Sequence, residues 1–396
     1  MPSSHPDSSD SPPPSREHSD SEPPAAMEAP RSIRLNVVLF ALTIVSVVFT
    51  GAMLDPLGLK SPTTWLHALQ YAGALLGILV AHESGHYIAA RIHNVDASPP
   101  FFIPLPLLGF GTMGAVIRMR GRIATRAALL DIGASGPLCG LVVAFPLYTW
   151  GVRHSEIISL DSSEYGQLGT SLAVRAIEHF FGPTVPGGSD ILLSPVAFGA
   201  WAGMLVTMIN LLPVGQLDGG HVAYALFGPQ QDKFARTFHR ALLAFFFVSV
   251  LGWVVRDFRA GEGFKHFGEH VGDSMFWLAW YQVLAILGTV TRKGQGERGD
   301  DDEPRLPIFT RIVMLAGLVT LSSIGRTDNK PIVWIGFFIS LAFVIAMEVR
   351  AGTLRTHKLF DHPPTGNEKL GIGRAAIAVV TLLMFIALFM PTPMSL

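Results

Sequence analysis

The chain has 396 residues, of which 49% are hydrophobic and only 15% charged, with a mean hydropathy of +0.41. A soluble domain carries about 25% charged residues, so long stretches here face something other than water. The balance of 29 Lys and Arg against 30 Asp and Glu leaves no basic field for nucleic acid. A single cysteine, Cys139, excludes an intramolecular disulfide framework and a thiolate metal cluster, so any metal must be held by His and carboxylate.

Residues 1–30 hold eight Ser and eight Pro, with one Arg against six acids. They are expected to form a disordered cytoplasmic tail. From Asn36 onward nine apolar runs approach the length of about 17 residues that crosses a bilayer as helix. They fall near 36–55, 67–91, 127–150, 191–212, 238–256, 274–291, 308–325, 331–349 and 373–390. The expected fold is thus an all-α polytopic membrane protein of about nine transmembrane helices. Its parts are an anchor helix and loop in 31–66, a core in 67–230 and additional membrane helices in 231–396. The first run is too long for a signal peptide and reads as a retained anchor.

With the N-terminus in the cytoplasm, 21 of the 29 basic residues fall in cytoplasmic connections or at their rims, including Arg91, Arg126, Arg240, Arg311 and Arg374. Two connections differ from ordinary loops. Residues 97–118 are apolar, yet Pro99, Pro100, Pro104 and Pro106 forbid a regular spanning helix. The segment is either a loop at the interface or a re-entrant, β-like stretch whose free edge near Gly111–Arg118, including Gly114, pairs with an unwound peptide. Residues 151–190 suffice for a small extracytoplasmic cap.

The second run contains His82-Glu83-Ser84-Gly85-His86. On a helix, His82 and His86 lie about 40° apart around the axis and one turn apart along it, with Glu83 on the same face. Two imidazoles so stacked can bind one zinc, while the neighbouring carboxylate reaches a water rather than the metal. Ser84 and Gly85 fall on the opposite side, where small residues admit a neighbouring helix. With the His and Glu content of this chain, the pattern arises by chance in roughly 2% of such sequences. Three ionisable groups within five residues of a membrane span, each costing about 2.5–3.5 kcal/mol to insert, also require a compensating role.

Zinc needs a third protein ligand from elsewhere. The fourth run ends in NLLPVGQLDGGH, residues 210–221, where Pro213, Gly215, Gly219 and Gly220 break the helix around Asp218. Taken alone, Asp218 fits an interfacial turn as well as a ligand. Topology separates the two readings. The second and fourth runs both travel toward the cytoplasm, His86 lies about 7.5 Å before the boundary marked by Arg91, and Asp218 comes to a similar depth. His221 then either orients Asp218 or lines a water path. Asp131 is read as a buried hydrogen-bonding partner with a possible supporting role at the metal, and His93, His239, His270 and His362 as single interfacial histidines.

HESGH on a membrane helix followed by NLLPVGQLDGGH resembles the site-2 protease family of intramembrane zinc metalloproteases, over roughly residues 67–230. PFFIPLP, GTMGAVIRMR and DIGASGPLCG resemble the bacterial and plastid branch, here without room for an inserted PDZ module. The resemblance implies one Zn2+ per chain bound by His82, His86 and Asp218, Glu83 as the base, and Asn210 as a group that holds the substrate strand. The expected reaction is hydrolysis of peptide bonds in or near the transmembrane segments of single-span membrane proteins. The expected setting is a lipid bilayer, the bacterial inner membrane before a plastid one. The rival reading is a metal or ion transporter using the same His/Asp cluster, and a second rival is an inactive relative.

Overall fold

Several helix termini are set by local chemistry. The computed structural model describes residues 33–106, 109–117, 119, 123–159, 167–294, 306–354 and 358–395; the Ser/Pro-rich leader and the acidic run 300–303 lie outside the described residues. Helix α1 spans Arg34–Leu54 and α2 spans Pro62–Ile92, with Pro62 at the first turn, where its missing N–H costs nothing. Helix α3, Arg126–Arg153, starts at Thr125, whose side chain accepts from the Ala128 N–H at 3.1 Å. It continues through Pro137 and Pro146. Helix α4, Leu172–Phe181, and α5, Pro195–Asn210, begin at Ser171 and Ser194, which cap in the same way. After a turn come α6, Asp218–Phe227, and α7, Gln231–Ala260, the latter closed by left-handed Gly261. Helices α8, Phe267–Gly294, α9, Ile308–Asp328, α10, Pro331–Arg350, and α11, Ile372–Leu388, complete the order.

The protein is a multi-pass membrane protein. Among the described residues, six helical stretches are long and apolar enough to cross a bilayer: α1, α2, α3, the run Asp218–Ala260 that comprises α6 and α7, α9 and α10. Each of the nine apolar runs coincides with a helix, but the expected count of nine spans is not reproduced by length and hydropathy. Helices α5 and α11 have 16 and 17 residues. The run expected at 191–212 is shortened because Ser189–Leu192 is strand and Ser194-Pro195 starts the helix late. Helix α8 is long enough, but Glu269, His270, Asp273 and Gln282 dilute its apolar content.

Burial separates core from periphery. The windows of α2 and α3 are 50% and 61% buried, whereas those of α1, α9 and α10 are 33%, 22% and 28% buried despite equal or higher hydropathy. The apolar outer faces of the latter three are surfaces that lipid satisfies. Helices α1, α3 and α5 surround α2, and α6 packs on α3. Gly199 of α5 makes the α2 contact possible, since a Cβ there would stand 2.6 Å from the Tyr71 carbonyl oxygen. A second apolar core joins α7 to α10 through Phe246, Leu278, Leu318 and Phe337.

The Pro-rich connection is a hairpin against α1, so its backbone takes the β-like conformation. Strand β1, Phe101–Leu105, pairs antiparallel with β2, Gly111–Val116, with a bulge between Phe102 and Pro104. Ser46 donates to the Gly111 carbonyl at 2.6 Å, and Asn36 donates to those of Pro99 and Pro100. Between α3 and α5, β3 (Glu156–Ser159) pairs with β5 (Ser189–Leu192), while β4 (Gln167–Leu168) pairs with β6 (Met394–Ser395). In this cap Glu178 accepts from Tyr148 Oη at 2.6 Å, and burial raises its carboxyl above the usual range.

Several polar residues expected at interfaces are buried instead. Arg311 is 2% exposed and reaches Glu348, fully buried on α10, at 2.5 Å, with Thr353 at 3.2 Å. His239 is buried between the Tyr281 and Phe360 rings, at centroid distances of 4.2 and 4.0 Å, and His270 contacts Asp257 at 2.6 Å. Position near a helix end misled because neighbouring helices extend past it. Removing one member of the Arg311–Glu348 pair strands a charge, so Arg311→Met should lower stability by about 3–5 kcal/mol. Thermal unfolding in detergent should show Arg311→Met melting well below the parent, with Arg311→Met/Glu348→Met recovering most of the loss.

Candidate metal centre

Helix α2 brings His82 and His86 onto one face, and the turn at 211–217 delivers Asp218 to them at the start of α6. That turn contains Gly215 in the left-handed region at φ +56°. Asp218 opens the first turn of α6, where unpaired N–H groups favour a carboxylate. Its Oδ2 is 3.0 Å from His82 Nε2 and its Oδ1 is 3.2 Å from His86 Nε2. The two imidazole Nε2 atoms are 3.1 Å apart. Among the described residues, these three form the one His/Cys/Asp/Glu group able to hold a metal ion.

The donor set fits a divalent cation. His86 Nδ1 lies 2.7 Å from the Ile132 carbonyl oxygen, which only accepts, so Nδ1 carries the proton and Nε2 keeps a lone pair when the ring is neutral. Two imidazole nitrogens and a carboxylate therefore converge on one point. Ligand bonds of about 2.0–2.1 Å in a tetrahedron put neighbouring donor atoms roughly 3.3 Å apart, close to these separations. Asn210 Nδ2 stands 3.4 Å from His82 Nε2, at the C-terminal end of α5.

Glu83 is 4% exposed and lines the same cavity of about 610 Å³ as His82, His86, Asp218 and Asn210. One wall is β2 and its continuation, through Met113, Ala115, Ile117 and Met119. Gly114 lies in this strand at φ +94°, and its N–H donates to Thr112 Oγ1 at 3.0 Å. The Gly114 amide is thus engaged within the hairpin. A proline at 114 would unmake the hairpin itself and is no clean probe of pairing.

Asp131 does not line the cavity. It pairs with His93 at 2.9 Å and with Arg374 of α11 at 2.8 Å, clamping the ends of three helices. His221 does line the cavity, and its Nδ1 is 2.8 Å from Nε2 of His362. His362 belongs to the connection between α10 and α11, which supplies Leu359, Phe360, His362, Pro363 and Pro364 to the far wall. It is 6% exposed, not interfacial. Its Nδ1 lies 2.7 Å from the Pro363 carbonyl, its backbone N–H donates to Asp232, and its ring stacks on Tyr224 at 4.3 Å. Burial pushes the His362 imidazole down to about 3, so it is neutral at physiological pH. No periodic signal links it to His221 across 141 residues of sequence.

Glycines on α3 admit the cluster. A Cβ on Gly136 would sit on the His86 ring, 2.1 Å from Nε2; one on Gly133 would stand 2.8 Å from His221 Cβ, and one on Gly140 3.3 Å from His82 Cβ. On α2, a Cβ on Gly85 would stand 2.5 Å from the Ser135 carbonyl oxygen, so Gly85 faces α3 as the two histidines do and not the opposite side expected for it, being only about 60° from His82 around the helix. Gly136→Ala should therefore displace His86 and cut zinc content by at least about tenfold while leaving helix content unchanged, as read by elemental analysis and circular dichroism.

Residues 70–252 match peptidase family M50. The chain is 35% identical over 162 residues, 39% of its length, to "Probable zinc metalloprotease EGY2, chloroplastic" of Arabidopsis thaliana, and the match covers 28% of that protein. It is 32% identical over 169 residues, 41% of its length, to "Probable zinc metalloprotease EGY1, chloroplastic" of Oryza sativa subsp. japonica, again covering 28% of the relative. "Probable zinc metallopeptidase EGY3, chloroplastic" of Arabidopsis thaliana matches at 27% over 244 residues, 55% of this chain and 41% of that one. The chain thus spans less than a third of the first two relatives. No solved structure matches. Residues 70–252, a little under half of the chain, are similar to peptidase family M50, and this region carries both halves of the His/Asp cluster.

Proposed function

We propose that this chain is an intramembrane zinc metalloprotease that hydrolyses peptide bonds in or near the transmembrane segments of single-span membrane proteins. The observation that carries the reading is the convergence of His82 Nε2, His86 Nε2 and the Asp218 carboxylate within 3.2 Å of one another beside Glu83. The names of the relatives support zinc as the metal, and the three converging side chains would hold one ion. Zinc bound there would supply Lewis acidity to a scissile carbonyl and make a nearby water more acidic.

Glu83, one residue from His82 and on the cavity wall, takes a proton on its carboxylate and returns it to the leaving amine. Asn210 offers an amide donor at the same point of the cavity, suited to hold a substrate carbonyl. A helical substrate hides its carbonyls in its own hydrogen bonds, so it must unwind before attack. The β2 edge, with Gly114 shaping its bulge, offers replacement bonds to the extended strand. The polar cluster sits among apolar helices, so electrostatic interactions there are stronger than in water.

The basic residues orient the N-terminus to the cytoplasm and the cluster to the cytoplasmic half of the bilayer. The named relatives are chloroplastic, and no comparison points to a bacterial inner membrane. Metal transport is not favoured, because it gives no work to Glu83 and the relatives carry peptidase names.

Purified variants in detergent separate these readings. Glu83→Gln should keep its zinc and lose about 10²–10⁴-fold in cleavage of single-span peptides. Asp218→Asn should lose zinc and activity together. Full cleavage by Glu83→Gln, or metal uptake into vesicles that survives Glu83→Gln, would overturn the protease. Single-span proteins that accumulate in membranes of cells carrying Glu83→Gln, but not the intact chain, would identify the substrates.

A further inference from the structure

We propose that His362 acts as a positioning residue, fixing the tautomer of His221 so that His221 presents Nε2 as a hydrogen-bond acceptor to a peptide N–H in the catalytic cavity. This rests on the protease reading for its ligand, though not for its geometry.

The protons are ordered from one end of a hydrogen-bonded chain to the other. The Pro363 carbonyl only accepts, so His362 Nδ1, 2.7 Å away, holds a proton. A neutral His362 then has a bare Nε2, and the burial of the ring in the 358–371 connection keeps it neutral. His221 Nδ1, 2.8 Å from that bare nitrogen, must be the donor. With Nδ1 engaged, the nitrogen His221 has left for the cavity it lines is Nε2, with its lone pair. The order of protons is set by a backbone carbonyl on a distant segment.

The support around the pair is built rather than incidental. The Tyr224 ring stacks on His362 and its hydroxyl accepts from the Thr365 N–H at 3.4 Å. Asp232 accepts from the His362 N–H at 3.0 Å. Glu368 accepts from the Arg126 N–H at the start of α3. These contacts hold residues 362–368 against α3, α6 and α7, so the two rings meet at fixed distance. An extended peptide against β2 has amide N–H groups on its other side too, and the Pro363 carbonyl at the cavity is already taken by His362 Nδ1 and Thr365 Oγ1. An acceptor at His221 complements those unpaired amides.

Two measurements test the proposal. Solid-state 15N spectra of the histidine-labelled chain in lipid, with the His221 signal assigned by its loss in His221→Phe, should show a neutral ring protonated at Nδ1. His362→Leu should move that signal to the Nε2-protonated form. A His221 protonated at Nε2 in the parent overturns the proposal whether or not the chain cuts peptides. The second uses a library of lysine-flanked single-span peptides with Asn, Gly or Pro at successive positions. His362→Leu should reduce kcat/KM about tenfold or more with zinc content unchanged. His362→Gln, which can both accept from His221 and donate to the carbonyl, should regain several-fold of that loss. Adding His362→Leu to His221→Phe should cost nothing further. Equal loss in the Leu and Gln variants, or additive losses in the pair, would reduce His362 to a structural contact. If the parent cuts no peptide, the protease reading falls and the spectra alone decide the tautomer.

Discussion

The contact on which the rest depends is the bridge from Asp218 to the two imidazoles of α2, made inside an apolar bundle. Each of these groups is costly to bury alone, and together they leave two lone-pair nitrogens and a carboxylate facing each other. Such a set is stable only when something positive sits among the donors, whether protons or a metal ion. Holding the three in register demands that α2 and the start of α6 approach closely. That requirement explains the glycines of α3, which form the floor on which His82, His86 and His221 all rest. It also explains the unwound turn at 211–217, since a continuous α5 would carry Asp218 past the histidines.

The cluster was legible in the sequence for a specific physical reason. Two histidines four apart repeat a helical turn, so local geometry alone places them together. Asp218 could be matched to them because helix breakers and charge asymmetry report depth. Gly133, Gly136 and Gly140 stood in a quoted motif, but their purpose is a clearance between helices, which spacing alone does not reveal. His362 was read as interfacial for the same reason. Its partner lies 141 residues away, and nothing periodic encodes a contact between a loop and a distant helix.

The membrane helices show a different limit. Hydropathy locates every helix among the nine expected runs, yet it does not fix their lengths, which depend on capping residues such as Ser194 and on strands that claim adjoining residues. Nor does it show which helices are central. Helices α2 and α3 have lower mean hydropathy than α1 and α10 but are far more buried, because their small and polar residues meet protein rather than lipid. Arg311 contributes to the charge asymmetry used for orientation and is nonetheless sealed against Glu348. A basic residue near a helix end can mark the membrane boundary and still be folded away from water.

The cleft is chemically asymmetric, and this bears on how an unwound segment would lie in it. Strand β2 lines the cavity through Met113, Ala115 and Val116, with the Gly114 amide held by Thr112. The connection between α10 and α11 brings Pro363 and Pro364 to the cavity, and neither has an N–H to donate. An extended strand in the cavity would find no amide donor at either proline. It would also meet side chains, among them Leu284 and Leu287 of α8 and Phe360, which are apolar. The segment beyond the family-matched region thus lines the same cavity as the His/Asp cluster, through Leu284, Leu287, Phe360 and His362.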